Sequence, residues 1–536
     1  MPNEKVLEKV KGQQKHIVLE SKLPPFRNER IFPGYDNTEV KRVYPRAIAA
    51  VREQLGQSYP LNINGKDIFT GESIDSINPA NPDEVIGRVS QADTKEIDDA
   101  LVAAEKAFPA WFNTPPSERA QYLLKAAAIA RKRIYELSAW QILEEGKQWD
   151  QAYNDVAEGI DFLEYYAREM IRLAQPRDMG SYAGEINQYF YQPKGVAAVI
   201  APWNFPFAIS CGMCAAAIVT GNTVVYKPSN QSSIVGHHLV ELFSEVRLPP
   251  GVFNYTPGRG SVIGDFLAGS PKVSLIAFTG SMEVGLRIME IAGRTPENQA
   301  SVKRVVCEMG GKNAIIIDED ADFDRAVPDV IYSAFGYQGQ KCSACSRLIV
   351  LDKIYDMFVP RLVEAARKLK VGPAEDPENY MGAVIDQAAQ KKILEYIELA
   401  AKEGTILYSS KVPEKGCYVP LTIVEGITPK DRLAQEEIFG PVLAVMRARD
   451  FDVALEWANS TRFALTGGVF SRNRKHLDRC RKDFRVGNLY FNRSCVGALV
   501  ERQPFGGFKM SGVGTKAGGP DYLLHFMDPR SLTEQP

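Results

Sequence analysis

Cys342 and Cys345 stand in the stretch "GQKCSACSR" (Gly339 to Arg347) at a CxxC spacing that serves metal binding, disulfide exchange or nucleophilic catalysis. A second pair, Cys211 and Cys214 in "SCGMCA", would complete the four thiolates of a tetrahedral zinc site. The pairs lie far apart in the chain, however, and "SCGMCAAAIVTG" reads as an apolar helix in which both cysteines are small core residues. Thioredoxin-type exchange places its CxxC at the opening of a helix after a strand. Here Phe323, Ala326, Val327, Val330, Ile331, Ala334 and Phe335 predict a helix before the motif, with Gly336 as its C-cap and Pro328 as a kink or a later start. A nucleophile on a loop and a bland buried thiol remain open, and no metal-ligand set is expected.

A cysteine nucleophile needs less activation than a serine, but it still needs an oxyanion donor. "APWNFPF" (Ala201 to Phe207) carries Asn204, whose amide can donate to an oxyanion, after an apolar strand at the end where nucleotides bind in Rossmann-type sheets. "CEMGGKN" (Cys307 to Asn313) carries Glu308 before two glycines that let backbone approach closely. "FTGSMEVG" (Phe278 to Gly285) reads as strand, Gly-Ser turn and helix start, a phosphate-binding arrangement. Each feature alone also has a structural reading, as a turn residue, a solvated charge or a turn glycine.

The bulk properties agree with a large enzyme. The chain has 536 residues, 45% hydrophobic and 24% charged, with a net charge of −2, so it lacks the basic excess that nucleic acid requires. Met1 to Glu20 mixes lysine with glutamate and has no apolar run of signal-peptide length, and no stretch is long enough for a membrane helix. Eight cysteines without an export signal read as reduced thiols, so a cytoplasmic location is expected.

The elements that must position these residues follow from periodicity. Tyr59 to Gly71 predicts two short strands around an Asn64-Gly65 turn. "PPSERAQYLLKAAAIARKRIYELSAWQILEEG" predicts a helix with Ser117 as N-cap and Gly146 at its end, and "NDVAEGIDFLEYYAREMIRLA" continues in helical period. From Lys194, the apolar runs "GVAAVIA", "NTVVYKP", "VFNYTP", "KVSLIAFTG" and "RVVCEMGG" alternate with helical stretches, which implies a parallel sheet covered on both faces. A second alternating region runs through "NAIIID", "RLIVLD", "PVLAVMR" and "TGGVFS". Two adjacent α/β units are expected. The tyrosine-rich Gly180 to Gly195 reads as a hairpin outside both, and the terminal "RSLTEQP" as a strand pairing with its equivalent on a partner subunit.

Taken together and in this order, "PWNFP", "VVYKPS", "FTGS", "EMGGK", "GQKCSA", "EEIFGPV" and "PFGG" resemble the aldehyde dehydrogenase superfamily over nearly the whole chain. The resemblance implies a Rossmann-type parallel-sheet NAD domain (1–173 with 194–309), a second α/β catalytic domain (310–514) and a small β oligomerisation element (174–193 with 515–536), in a homodimer or higher homo-oligomer. It implies that Cys342 is the nucleophile, Asn204 the oxyanion donor and Glu308 the base that activates water, with Cys345 incidental. For the cofactor it implies Lys227 at the adenosine ribose, Ser281 at the pyrophosphate, Gly260 and Gly264 near the adenine, Glu437 at the nicotinamide ribose and Phe439 beside the ring, with Trp203, Ser229 and Val284 completing the cleft. NAD is the implied cofactor. Asn230 replaces a glutamate that many NAD-preferring relatives carry, which leaves NADP open, and Met213 replaces a lysine of many general relatives.

Within the superfamily, "NRSCVGALVERQPFGGFKMSGVGTKAGGPDYLLHF", "FRNER", "DVAEGIDFLEYY" and Ser343 look like the 1-pyrroline-5-carboxylate dehydrogenase group. That likeness implies L-glutamate γ-semialdehyde as substrate, oxidised to L-glutamate in proline catabolism. Gly497, Ala498, Ser343 and Lys341 would then meet the α-carboxylate, Glu158 the ammonium, and Phe205 and Phe505 the aliphatic stem. The alternatives are a broader semialdehyde dehydrogenase, acting for example on succinate semialdehyde, and a zinc or thiol-redox protein that uses the CxxC pairs.

Overall fold

Val196–Ile200, Thr223–Lys227, Phe253–Tyr255, Val273–Thr279 and Arg304–Glu308 pair in parallel. Their central residues, among them Val199, Val224, Ile276 and Ala277, are wholly buried, which is why they read as unbroken apolar runs. The computed structural model describes residues 23–535 apart from 176 and 181. The polar leader Met1 to Glu20, Ser181 of the tyrosine-rich segment and Pro536 lie outside the described residues.

In this eight-stranded sheet the chain lays its second and third parallel strands on one side of Val196–Ile200 and its fourth and fifth on the other. The order therefore reverses between Val196–Ile200 and Val273–Thr279. A crevice opens at such a reversal, and ligands of α/β sheets bind there. The hairpin Leu61–Ile63 and Lys66–Ile68 extends one edge, and Asn64 and Gly65 both take the positive φ that its tight turn demands.

A seven-stranded sheet follows, built on Asn313–Ile317, Cys345–Leu351, Val442–Ala448 and Thr466–Phe470, and all its strands are parallel except Thr405–Ser409. Glu308 ends the last parallel strand of the first sheet and Asn313 begins the first strand of the second. Only Met309 to Lys312 separate them. Because Cys345–Leu351 pairs beside Asn313–Ile317, the segment holding Cys342 arrives at the same junction.

Two local expectations are corrected. Ser117 is not an N-cap: Pro115 caps the helix and Pro116 takes its first turn, where a missing N–H costs nothing. The long helix is two, Pro116–Lys132 and Ile134–Glu145, broken at Arg133, whose guanidinium is held by Glu136 and Glu241. Gly146 does end the second in the left-handed conformation. Met527–Glu534 pairs antiparallel with Ile186–Pro193 of its own chain, and its other edge carries no strand among the described residues.

The helix Phe323–Phe335 starts at its Asp322 cap and runs through Pro328 to Gly336. Among the described residues, no helix is long and apolar enough to cross a membrane.

Candidate active site

Two chambers meet at Cys342. One, of about 430 Å³, is lined by Glu158, Phe205, Lys341, Ser343, Gly497, Ala498 and Phe505, together with Glu308 and Met213. The other, of about 880 Å³, is lined by Trp203, Asn204, Lys227, Ser229, Gly260, Gly264, Ser281, Val284, Glu437 and Phe439. The residues singled out from sequence are thus gathered on the two sides of one thiol, and the larger chamber occupies the crevice at the strand-order reversal.

The segment before Cys342 is held in a conformation that few side chains adopt. Tyr337 and Gln338 both have positive φ, at 53° and 56°. Such backbone costs on the order of 1–3 kcal/mol per residue and persists only where its surroundings enforce it. The Gln338 amide donates to the carbonyls of Gly146 (3.1 Å) and Ala383 (2.8 Å) and accepts from Gln148 (2.8 Å). After the turn, Asn313 Nδ2 donates to the carbonyls of Cys342 (2.7 Å) and Ala344 (2.9 Å), and Thr466 donates to that of Ser343 (3.1 Å). The Asn204 amide donates to the Gln340 carbonyl at 3.0 Å, which fixes its orientation beside Cys342.

Close approach explains the two glycines after Glu308. A Cβ on Gly310 would collide with the Glu437 carboxylate, and one on Gly311 with the Cys342 carbonyl. The Gly311 N–H donates to Glu437 Oε1 at 2.8 Å. "EMGGKN" therefore threads between the acid of one chamber and the thiol between both.

Burial dominates the electrostatics. It pushes the Cys342 thiol well above its usual range, and the nearby Glu437 and Glu308 carboxylates push in the same direction, so the resting sulfur is protonated. Burial raises the Glu308 carboxyl to about 8, opposed by the positive charge of Lys516. Glu308 Oε2 has no hydrogen-bond partner. Glu158 is also raised to about 8, by burial and then by Asp155 and Asp161. Lys341 is lowered to about 8 by burial, its ammonium lying 5.2 Å from the centre of the Tyr332 ring.

The chamber walls differ in what they offer. In the smaller, the N–H groups of Gly497 and Ala498 and the Ser343 hydroxyl donate to no acceptor among the described residues. The Arg493 guanidinium, itself part of the chamber lining, braces this loop by donating to the carbonyls of Val496 (3.1 Å) and Gly497 (3.2 Å). In the larger, Gly260 and Gly264 open the helix Gly260–Gly269, and a Cβ on either would meet nothing, so the space over that first turn is left for a ligand. Ser281 caps the helix Met282–Gly293 by accepting from the Val284 N–H (3.3 Å). Lys227 is buried, lowered to about 8, and donates to the Pro228 carbonyl at 2.9 Å. Phe439, at φ 60°, meets Trp203 edge to face at 5.5 Å.

The other cysteines are placed differently. Cys211 and Cys214 are wholly buried in the helix Ala208–Val219, and the Cys211 thiol donates to the Gly159 carbonyl at 3.6 Å. Cys345 lies against Cys495 and donates to the Arg347 carbonyl at 3.4 Å. The described residues contain no group of His, Cys, Asp and Glu arranged to hold a metal ion.

Sequence reasoning passed over Asn313, Lys516, Arg493 and the buried pair Lys147–Asp155. This pair, at 2.7 Å and without exposure, backs Phe205: the Lys147 ammonium lies 4.5 Å from the centre of its ring, and Asp155 accepts from the Ala208 N–H at 2.9 Å. Asn313 was within reach, since it stands in the same motif as Glu308. The others are joined to the site only by folding.

Residues 68–532 match the aldehyde dehydrogenase family. The 1-pyrroline-5-carboxylate dehydrogenase of Geobacillus sp. (strain WCH70) is 48% identical over 92% of this chain and 96% of its own length. The 1-pyrroline-5-carboxylate dehydrogenase 2 of Bacillus subtilis (strain 168) is 48% identical over 95% and 99%. The structure of 1-pyrroline-5-carboxylate dehydrogenase from Thermus with bound NAD superposes with a TM-score of 0.94 at 46% identity, covering 96% of this chain and 100% of that one. With family match, relatives and fold in agreement with the geometry around Cys342, the chain belongs to the aldehyde dehydrogenase family.

Proposed function

We propose that this chain oxidises L-glutamate γ-semialdehyde, the open form of 1-pyrroline-5-carboxylate, to L-glutamate with NAD, in the breakdown of proline. The observation that carries the reading is the meeting of two unlike chambers at one thiol. The smaller has free N–H and hydroxyl donors at one end and the Glu158 carboxyl in its wall. Those donors suit an α-carboxylate, and an arriving ammonium opposes the burial and the Asp155 and Asp161 charges that raise Glu158. Phe205 and Phe505 suit the methylene stem, with Lys341 adding positive charge.

Cys342 loses its thiol proton to water as the sulfur attacks the aldehyde carbon, and the oxyanion that forms is held by the Asn204 amide and the Cys342 N–H. NAD, when bound in the larger chamber, accepts the hydride that leaves this carbon. Its fit is supported by the open turn at Gly260 and Gly264, by Ser281 at a helix N-terminus for the phosphates, and by the Glu437 carboxylate for a ribose. Lys227 and Ser229 flank the adenosine end, Val284 the phosphates, and Trp203 and Phe439 the ring. Glu308 removes a proton from the water that hydrolyses the Cys342 thioester, releasing the carboxylate product. In sum, aldehyde, NAD and water give carboxylate, NADH and two protons.

The same reading divides the chain into a cofactor domain (1–173 with 194–309), a catalytic domain (310–514) and an oligomerisation element (174–193 with 515–536). The unpaired outer edge of Met527–Glu534 supports a homo-oligomer, because a free strand edge is a template for pairing. All eight cysteines are free, which supports a cytoplasmic location.

Steady-state turnover of L-glutamate γ-semialdehyde and succinate semialdehyde, each with NAD and with NADP, tests the proposal. The amino-acid semialdehyde with NAD is expected to give the highest kcat/KM. Preference for succinate semialdehyde, which has no ammonium, would remove the role given to Glu158. Stoichiometric zinc that survives loss of Cys342 but not of Cys211 would favour a metal-binding protein instead.

A further inference from the structure

Phe26 to Ile31 runs without regular structure over the smaller chamber, and apart from the Glu29 ion pair with Arg131 its anchors fall on the two elements that bound that chamber. Asn28 Nδ2 donates to Asp161 Oδ2 (2.8 Å) and to the Val500 carbonyl (2.9 Å), and the Glu29 N–H donates to Asp161 Oδ1 (2.6 Å). Just beyond, the Phe32 N–H donates to Asn154 Oδ1 at 2.8 Å. Asn154 and Asp161 lie four residues before and three after Glu158 on the helix Trp149–Leu173, so the strap runs along the face that presents Glu158. Val500 lies two residues beyond Ala498. Asn28 thus ties together the helix that carries the chamber's acid and the loop that carries its free amides.

Phe26 anchors the near end, buried and edge to face with Tyr165 at 5.3 Å. Ile31 does the opposite. It is 61% exposed, yet it lines the chamber together with Glu29, so its apolar side chain stands at the rim. A segment held only for stability would turn such a residue inward. Here part-buried hydrogen bonds fix the backbone while isoleucine is left facing the opening.

We infer that this strap is a specificity-determining wall of the aldehyde chamber, with Ile31 limiting the width of the aldehyde that reaches Cys342 and Asn28 and Asp161 positioning it. The inference rests on the reading of that chamber as the aldehyde site. Its consequence is selection by width: a narrow, unbranched semialdehyde passes beneath Ile31, and a ring at the same distance from the carbonyl does not.

The test is the ratio of kcat/KM for phenylacetaldehyde to that for L-glutamate γ-semialdehyde in the full-length protein, with NAD. Ile31→Gly removes the rim side chain and Asn28→Ala unties the strap. Both are expected to raise the ratio about tenfold or more, the scale on which a pocket distinguishes substrates by one or two carbons, while Ile31→Val stays near the native ratio. Thermal unfolding of each variant separates this from a general loosening, which would lower both activities together. Because Ile31 is exposed, Ile31→Gly carries the test even if Asn28→Ala fails to fold. A ratio within about twofold of native in Ile31→Gly overturns the strap inference alone. A native protein that oxidises neither aldehyde overturns the reading of the chamber, and the strap with it.

Discussion

The side-chain amide of Asn313 donates to the carbonyl oxygen of Cys342 at 2.7 Å, and its own oxygen accepts from the Thr466 N–H at 2.9 Å. One side chain at the start of a strand therefore fixes the nucleophile's backbone to a neighbouring strand of the same sheet. Asn313→Ala removes these two bonds and the one to the Ala344 carbonyl without touching either chamber. A displacement of the nucleophile by about 1 Å costs roughly 100-fold in rate. The expected outcome is a loss of kcat of that order, while NADH binding, followed by its fluorescence, changes by less than about threefold.

In the proposed mechanism Glu308 and Cys342 divide the reaction between them, and single-turnover kinetics separates their roles. Cys342→Ala is expected to abolish turnover while leaving NADH binding in place. Glu308→Gln keeps the size of the side chain but cannot take a proton from water, so thioester hydrolysis slows by about 100-fold or more. The measured sign is a burst of NADH, close to one per active site, followed by a slow steady state. A variant with no burst and no slowing would remove Glu308 from the hydrolytic step.

The pH dependence follows from the burial of Glu308, which raises its carboxyl to about 8. Below that pH the group is protonated and cannot act as a base, so hydrolysis rises as pH increases through about 8 and levels off above it. The sign of the neighbouring charge is also fixed. Lys516, held by Asn488 (3.0 Å) and the Gly506 carbonyl, favours the Glu308 carboxylate and lowers its pKa. Lys516→Met removes that charge, and the inflection in the rate of thioester hydrolysis is expected to move to higher pH. A shift to lower pH would contradict the placement of Lys516 beside this acid.

Cys342, Glu308 and Asn204 could be singled out because each stands where an apolar strand or helix gives way to glycines or prolines, and that contrast survives in the sequence, whereas Glu437 was reached only through the family resemblance. The nine apolar runs were legible for the same reason: strands buried on both faces have no polar alternation to blur them. The break at Arg133 was not, since helical period continues across it and the contact of Arg133 with Glu241 is long-range. Ser117 misled because a serine before an apolar run outweighed the prolines beside it. The anchoring of Asn28 by Asp161, and the in-chain partner of the terminal strand, depend on residues far apart in the sequence, where no local pattern records the pairing.

Lys147 and Asp155 supply the last prediction. Their ion pair is wholly buried, and Lys147 also donates to Gln141 Oε1 at 3.1 Å. Burial pushes the Asp155 carboxyl up, while the Lys147 charge and hydrogen bond oppose that shift. Asp155→Ala would leave an ammonium in the core facing Phe205 and Tyr337 with no carboxylate, at a cost of about 3–5 kcal/mol. The double variant Lys147→Met, Asp155→Leu removes both charges and is expected to lose much less, because an apolar pair of similar volume can replace a buried ion pair. Urea unfolding midpoints of the two variants measure the difference. If the pair serves only stability, the double variant recovers kcat/KM along with its fold. If it also sets the Phe205 wall, KM for the aldehyde stays raised after stability returns, and that second outcome is the one expected from the 4.5 Å contact between Lys147 and the Phe205 ring.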